Sequence, residues 1–202
     1  MNKNFWRLPD IKQQRILNAG YKVFSSNTYK KASMQLIADD AGISKSLLFH
    51  YFRNKQSLYE FLFQTAIQMI QDQKNTNLYK EQDFFELLEN EFHLRFKLLE
   101  KFPFQYRFIM RVYDEKSLVN SKEVTRIILE SIKSGKVAVL KHVDKSMFRH
   151  KEDLENLYDM IIDLSNGFYF RVFNNATMEK QGAFNEFRLY LTNLRRNYYK
   201  EG

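Results

Sequence analysis

The stretch from Ser33 to Lys55 leaves the chain few ways to fold. Ser33 can cap a helix, its hydroxyl accepting from the orphan N–H groups of the first turn. Leu36, Ile37 and Ala41 then recur at helical spacing and make an apolar face. Ala38 is small enough for a second helix to cross close by. Gly42 stands where that helix must stop and the chain reverse, and glycine enters the left-handed region cheaply. Ile43 is expected to turn inward and Ser44 to cap a second, short helix. That helix sends Lys45, Ser46, Phe49 and His50 outward and Leu48 and Phe52 inward. An ordinary helical corner shares some of these features. The whole run, in this order, is the pattern of a helix-turn-helix, whose second helix enters the major groove of DNA.

The rest of the chain reads as helix throughout. Two prolines and six glycines interrupt 202 residues, and apolar residues recur at the 3.6-residue period, so the fold class is all-α. There is no cysteine, which excludes disulfides, thiolate metal sites and cysteine nucleophiles. No apolar run approaches the roughly 18 residues of a membrane span. The basic N-terminus, Met1 to Arg7, lacks the apolar core of a signal peptide, so a cytoplasmic protein with no membrane partner is expected. Charge is unevenly placed. Residues 1–55 hold ten Lys and Arg against three Asp, so +7 of the net +8 lies on the segment with the helix-turn-helix. A phosphate-binding module has that distribution, although a solvated face also accounts for several of these lysines.

The expected elements follow in order. Asp10 caps a first helix, with Gln13 in a capping-box position, and Ile11, Ile16, Leu17, Ala19, Gly20, Val23 and Phe24 form its apolar side. Asn54 caps a fourth helix that runs to about Gln73, and a polar break follows at Lys74 to Asn77. Asp83 caps a helix ending before Pro103. A short aromatic helix spans Phe104 to Tyr113, and Asp114 to Asn120 reads as a loop. Ser121 caps the next helix, with Gly135 as a kink or stop. Ser146 to Glu152 reads as a polar connection. Two final helices run from about Asp153 to Asn174 and from about Gly182 to Tyr199. The division by sequence is 1–55, a three-helix DNA-binding domain, and 56–202, a larger helical domain.

Ile37-Ala38, Ala41-Gly42-Ile43-Ser44, Leu48-Phe49-His50-Tyr51-Phe52, Lys55 and Leu58-Tyr59 resemble the motif of the tetracycline-repressor (TetR) family of bacterial transcriptional regulators. The resemblance covers roughly Ile11 to Leu62. It implies a dimeric DNA-binding repressor that prefers an inverted-repeat operator in double-stranded DNA and is released by a small-molecule effector. It implies that the last two long helices form the homodimer interface, and that the fourth helix passes effector occupancy to the DNA surface. It places Lys30, Lys31 and Ser33 near the DNA backbone. Ser44 caps the recognition helix, Lys45, Ser46 and His50 meet base edges or adjacent phosphates, and Ser33, Tyr51 and Lys55 fix the duplex backbone. Lys55 lies in the first turn of its helix, where its charge opposes the dipole and a nearby phosphate would relieve the conflict. The chain departs from the family at Phe49, where a tyrosine is common, at Ser46, where glycine is common, and at Leu47, where a small hydroxyl residue is common. Phe49 can offer an apolar contact to a thymine methyl.

The chemistry of an enzyme is missing. The four histidines, His50, His93, His142 and His150, form no metal-ligand spacing, no glycine-rich phosphate loop is present, and no acid–base constellation has supporting groups. Neither a cofactor nor a metal is expected. The second domain is strongly aromatic. The resemblance puts Phe92, Phe96, Tyr106, Tyr113, Phe168 and Tyr169 around an effector cavity suited to a hydrophobic molecule, or to a cationic one paired with Glu89 or Glu91. The same residues also read as plain core. Two other classes stay open at this point: a sequence-tolerant, architectural nucleic-acid binder, and an all-helical enzyme or ligand carrier.

Overall fold

The computed structural model describes residues 3–74, 81–119, 121–174 and 180–200. Among these the chain is helical, with no strand and one isolated antiparallel bridge between Phe148 and Tyr199. The helices are α1 (Asp10–Ser26), α2 (Met34–Ala41), α3 (Lys45–Tyr51), α4 (Lys55–Lys74), α5 (Phe84–Lys101), α6 (Gln105–Val119), α7 (Lys122–His142), α8 (Leu154–Asn174) and α9 (Lys180–Tyr198). They divide into two compact units, Met1–Met69 with Leu99–Glu130, and Ile70–Leu98 with Ser131–Gly202. This grouping follows packing, whereas the division at residue 55 follows the motif.

In the first unit α1 packs against α2 and α6, and α2 against α3. The core takes Ile16, Leu17, Tyr21 and Phe24 from α1, Ile37 and Ala38 from α2, Leu48 from α3, Leu58, Tyr59, Leu62 and Phe63 from α4, and Phe108 and Val112 from α6. Gly20 lets α1 approach α4, for a Cβ there would come within 2.5 Å of the buried Leu62 side chain. Two residues expected in this core are exposed. Ile11 shares the outer face of α1 with Arg15 and Lys22, and Leu36 shares that of α2 with Asp39 and Asp40, so both are in the wrong helical phase. Asp10 is not a cap but the first helical residue, following Pro9, and its charge complements the helix N-terminus. Gln13 reaches back to carbonyls, donating to Leu8 O at 2.7 Å, and does not complete a capping box. The fourth helix does begin at an Asn54 cap, whose Oδ1 accepts from Ser57 N at 2.8 Å while Ser57 Oγ accepts from Asn54 N at 3.1 Å.

Helix α6 does not end at Tyr113. It continues to Val119, and Asn120 lies outside the described residues, as does the polar break from Asn75 on. The polar run from Asp114 has the composition of a loop, but its Glu115 is buried and paired with Arg111 one turn back. Ser121 caps α7, accepting from Val124 N at 3.3 Å, and α7 passes through Gly135 without ending. In the connection before α8, Lys145–Met147 and Lys151–Asp153 form single 3-10 turns.

The second unit is organised by aromatic contacts. Asp83 caps α5 by accepting from Phe85 N and Glu86 N, both at 3.0 Å, and its other oxygen receives Arg195 at 2.6 Å. The buried Tyr199 hydroxyl accepts from Phe84 N at 3.0 Å. These bonds tie the start of α5 to the end of α9, with Phe85 and Phe148 packed around the Tyr199 ring at 5.1 and 4.9 Å. No described helix is long and apolar enough to cross a membrane.

Candidate nucleic-acid interface

The turn between α2 and α3 is built from three local devices. Ser33 Oγ accepts from Leu36 N at 3.2 Å and starts α2. Gly42 ends it with φ +64°, and the amides of Gly42 and Ile43 donate back to Asp39 O and Ala38 O at 3.1 and 3.0 Å. Ser44 Oγ accepts from Leu47 N at 3.1 Å and starts α3 two residues later. Arg15 of α1 seals the turn by donating to Ala41 O at 2.6 Å.

Helix α3 is held by one buried side chain, Leu48, with Phe52 buried just beyond its end. Lys45, Ser46, Leu47, Phe49 and His50 all face solvent. Phe49 and Leu47 are 41% and 38% exposed, so the face is basic and apolar together and carries no acidic residue. The nearby acids are engaged on α2: Lys22 pairs with Asp40, and Gln35 donates to Asp39 at 2.7 Å. Tyr51 is half-buried, its ring set edge-on to Phe5 at 6.4 Å and to His50 at 5.4 Å. Phe5, fully buried, also meets Phe52 and Phe61, so its 3-10 turn braces the base of α3.

The connection from α1 to α2 exposes Lys30 and Lys31 beside Ser33. The Lys55 ammonium donates to the carbonyls of Tyr29, Ala32 and Lys30 at 2.8, 3.0 and 3.4 Å and lies 4.5 Å from the centre of the Tyr29 ring. Those carbonyls offset the conflict between its charge and the helix dipole. The Tyr29 amide donates to Glu115 Oε2 at 3.0 Å. Neither Tyr29 nor Glu115 stands out in the sequence, since each acts on a partner more than twenty residues away. Close by, the Tyr59 phenol has its pKa raised, first by burial and then by the Glu115 charge, so it stays a neutral hydroxyl.

A family profile described as bacterial regulatory proteins, tetR family, matches residues 16–62, which contain the whole of this turn. Over these residues the chain is similar to the TetR family. It is 24% identical over 117 residues to the uncharacterized HTH-type transcriptional regulator YhgD of Bacillus subtilis, a match covering 58% of this chain and 59% of that protein. Over 60 residues it is 37% identical to the HTH-type transcriptional regulator UidR of Escherichia coli K12, covering 30% of this chain and 28% of that one. The chain thus spans less than two thirds of either relative's length. Among solved structures, its fold is similar to that of the ketosteroid transcriptional regulator KstR2 of Mycobacterium tuberculosis, with a TM-score of 0.72 and 20% identity over 92% of this chain and 94% of that one. It is also similar to the TetR family transcriptional regulator PfmR of Thermus thermophilus, with a TM-score of 0.69 and 18% identity over 90% and 97%.

The TetR resemblance drew six aromatics around an effector cavity. Four of them meet in the second unit: Phe92 is 4.9 Å from Tyr169, 6.1 Å from Phe96 and 6.4 Å from Phe168. Phe187, not anticipated, stacks on Phe92 at 3.8 Å. Tyr106 and Tyr113 belong to the first unit, where Tyr113 meets Phe63 at 6.3 Å. The cavity beside Phe92, bordered by Leu88, Glu91, Arg95 and Ile161, is about 20 Å3. That is room for about one water. Among the described residues no group of three or more His, Cys, Asp or Glu is placed to hold a metal.

Proposed function

We propose that this chain is a transcriptional regulator of the TetR family, not an enzyme, which binds double-stranded DNA as a homodimer and acts in the cytoplasm as a repressor. The observation that carries the reading is α3, anchored by Leu48 alone and presenting Lys45, Ser46, Phe49 and His50 on one acid-free exposed face. A helix of that kind, set by a tight turn, supplies base contacts, while Lys30, Lys31 and Ser33 supply the backbone contacts that orient it. Two-fold symmetry then asks for an inverted repeat with half-sites a whole number of helical turns apart. For the homodimer, α8 and α9 leave Met160, Phe170, Leu189 and Tyr190 exposed, an apolar surface that a second copy would cover. A hydrophobic or cationic effector would lower DNA affinity by binding better to the state whose α3 helices no longer match the groove.

Two substitutions separate the roles. Lys55→Ala frees the loop that bears Lys30 and Lys31, so affinity should fall by a similar factor on random and on selected duplexes. His50→Ala should weaken the selected sequence alone, by about 5–150-fold, the range of one lost base contact. Fluorescence anisotropy with both duplexes reads this directly, and equal losses for both variants on both duplexes would reject the assignment.

A further inference from the structure

The segment that bears Lys30 and Lys31 is gripped from behind by two opposite charges at one residue. Glu115 Oε2 accepts from the Tyr29 amide at 3.0 Å, and Lys55 donates to the Tyr29 carbonyl at 2.8 Å. The Tyr29 ring is fixed as well, stacked 6.2 Å from Phe24, edge-on to Tyr59 at 5.0 Å and covered by the Lys55 ammonium. Glu115 is only 8% exposed, and its second oxygen pairs with Arg111 at 3.0 Å. A carboxylate is costly to bury, and its bond to an N–H is roughly twice as strong as a neutral one. Among the described residues two partners offset the cost: an arginine one turn back on α6, and a backbone amide 86 residues earlier in the chain.

We infer that Glu115 is a positioning residue for DNA binding, fixing through the Tyr29 amide where Lys30 and Lys31 stand. The inference rests on the DNA-binding function proposed above. Glu115 touches no phosphate itself, and its negative charge would repel one. It acts by removing the freedom of a loop whose two lysines would otherwise lose entropy on binding. It also gives α6, in the middle of the chain, a direct hold on the DNA-facing surface.

The test is a mutant cycle with the full chain, read as duplex affinity between about 50 and 200 mM salt. Circular dichroism checks the fold of each variant. Glu115→Ala is expected to weaken binding about tenfold and to flatten the slope of log affinity against log salt by up to about two, as removal of two phosphate contacts does. The Lys30→Ala/Lys31→Ala protein should show the same loss, and adding Glu115→Ala to it should change nothing more. Glu115→Gln keeps an oxygen for the Tyr29 amide and should retain most of the affinity. Glu115→Asp keeps the charge, falls one methylene short and should behave as alanine does. Additive losses in the triple variant, or an unchanged salt slope in both Glu115→Ala and Glu115→Asp, would overturn the role of Glu115 while leaving DNA binding in place. A wild-type chain that binds no duplex at any salt would overturn the DNA-binding reading and this inference with it.

Discussion

Replacing Phe108 by alanine is expected to destabilise the first unit by about 3–5 kcal/mol, the cost of deleting a fully buried phenyl ring. Phe108 belongs to α6, far along the chain from the helix-turn-helix, yet it is completely buried in the same core. Its ring lies 5.4 Å from Tyr21 and 6.0 Å from Phe24 of α1, and 5.3 Å from Tyr59 and 6.5 Å from Phe63 of α4. These four neighbours are themselves fully buried. The single tryptophan, Trp6, sits in this unit at 5.7 Å from Phe61, so urea unfolding followed by its fluorescence reads the first unit specifically. An unchanged Trp6 transition would mean that residues 1–55 hold together without α6.

The second large effect is expected at Phe92. It is 4% exposed, stacked on Phe187 and Tyr169 and edge-on to Phe168. If these rings are core, Phe92→Ala should cost about 3–5 kcal/mol, visible as a lower urea midpoint by far-UV circular dichroism. Phe92→Leu should cost less, since it keeps most of the apolar volume. A loss within about 0.5 kcal/mol, the range of surface substitutions, would instead favour a ring that lines an effector site and carries little of the packing.

What could be read from the sequence was local. Ser33, Gly42, Ser44, Asn54, Asp83 and Ser121 were legible because a cap acts on amides two or three residues away and needs nothing else. The outward face of α3 was legible for the same reason, given Leu48 as its anchor. Features set by distant partners were not. The three carbonyls that Lys55 reaches cannot be read from its place on the helix, because they come from another loop. Glu115 is lost inside an apparent loop, because its amide partner is remote in sequence. Ile11 and Leu36 belong to the core by residue type, although their helical phase turns them outward. The boundary at 55 is drawn where the fourth helix starts, whereas the first packed unit also includes residues 56–69 and 99–130.

The measurement that bears most directly on the central claim is selection of the purified full chain against random duplex DNA at near-physiological salt, followed by sequencing. A regulator that reads DNA through paired α3 helices enriches an inverted repeat, and His50→Ala changes the bases enriched in each half-site. Enrichment that is absent, even after unfolding and refolding to strip any bound small molecule, would contradict sequence-specific reading and leave at most a sequence-tolerant binder.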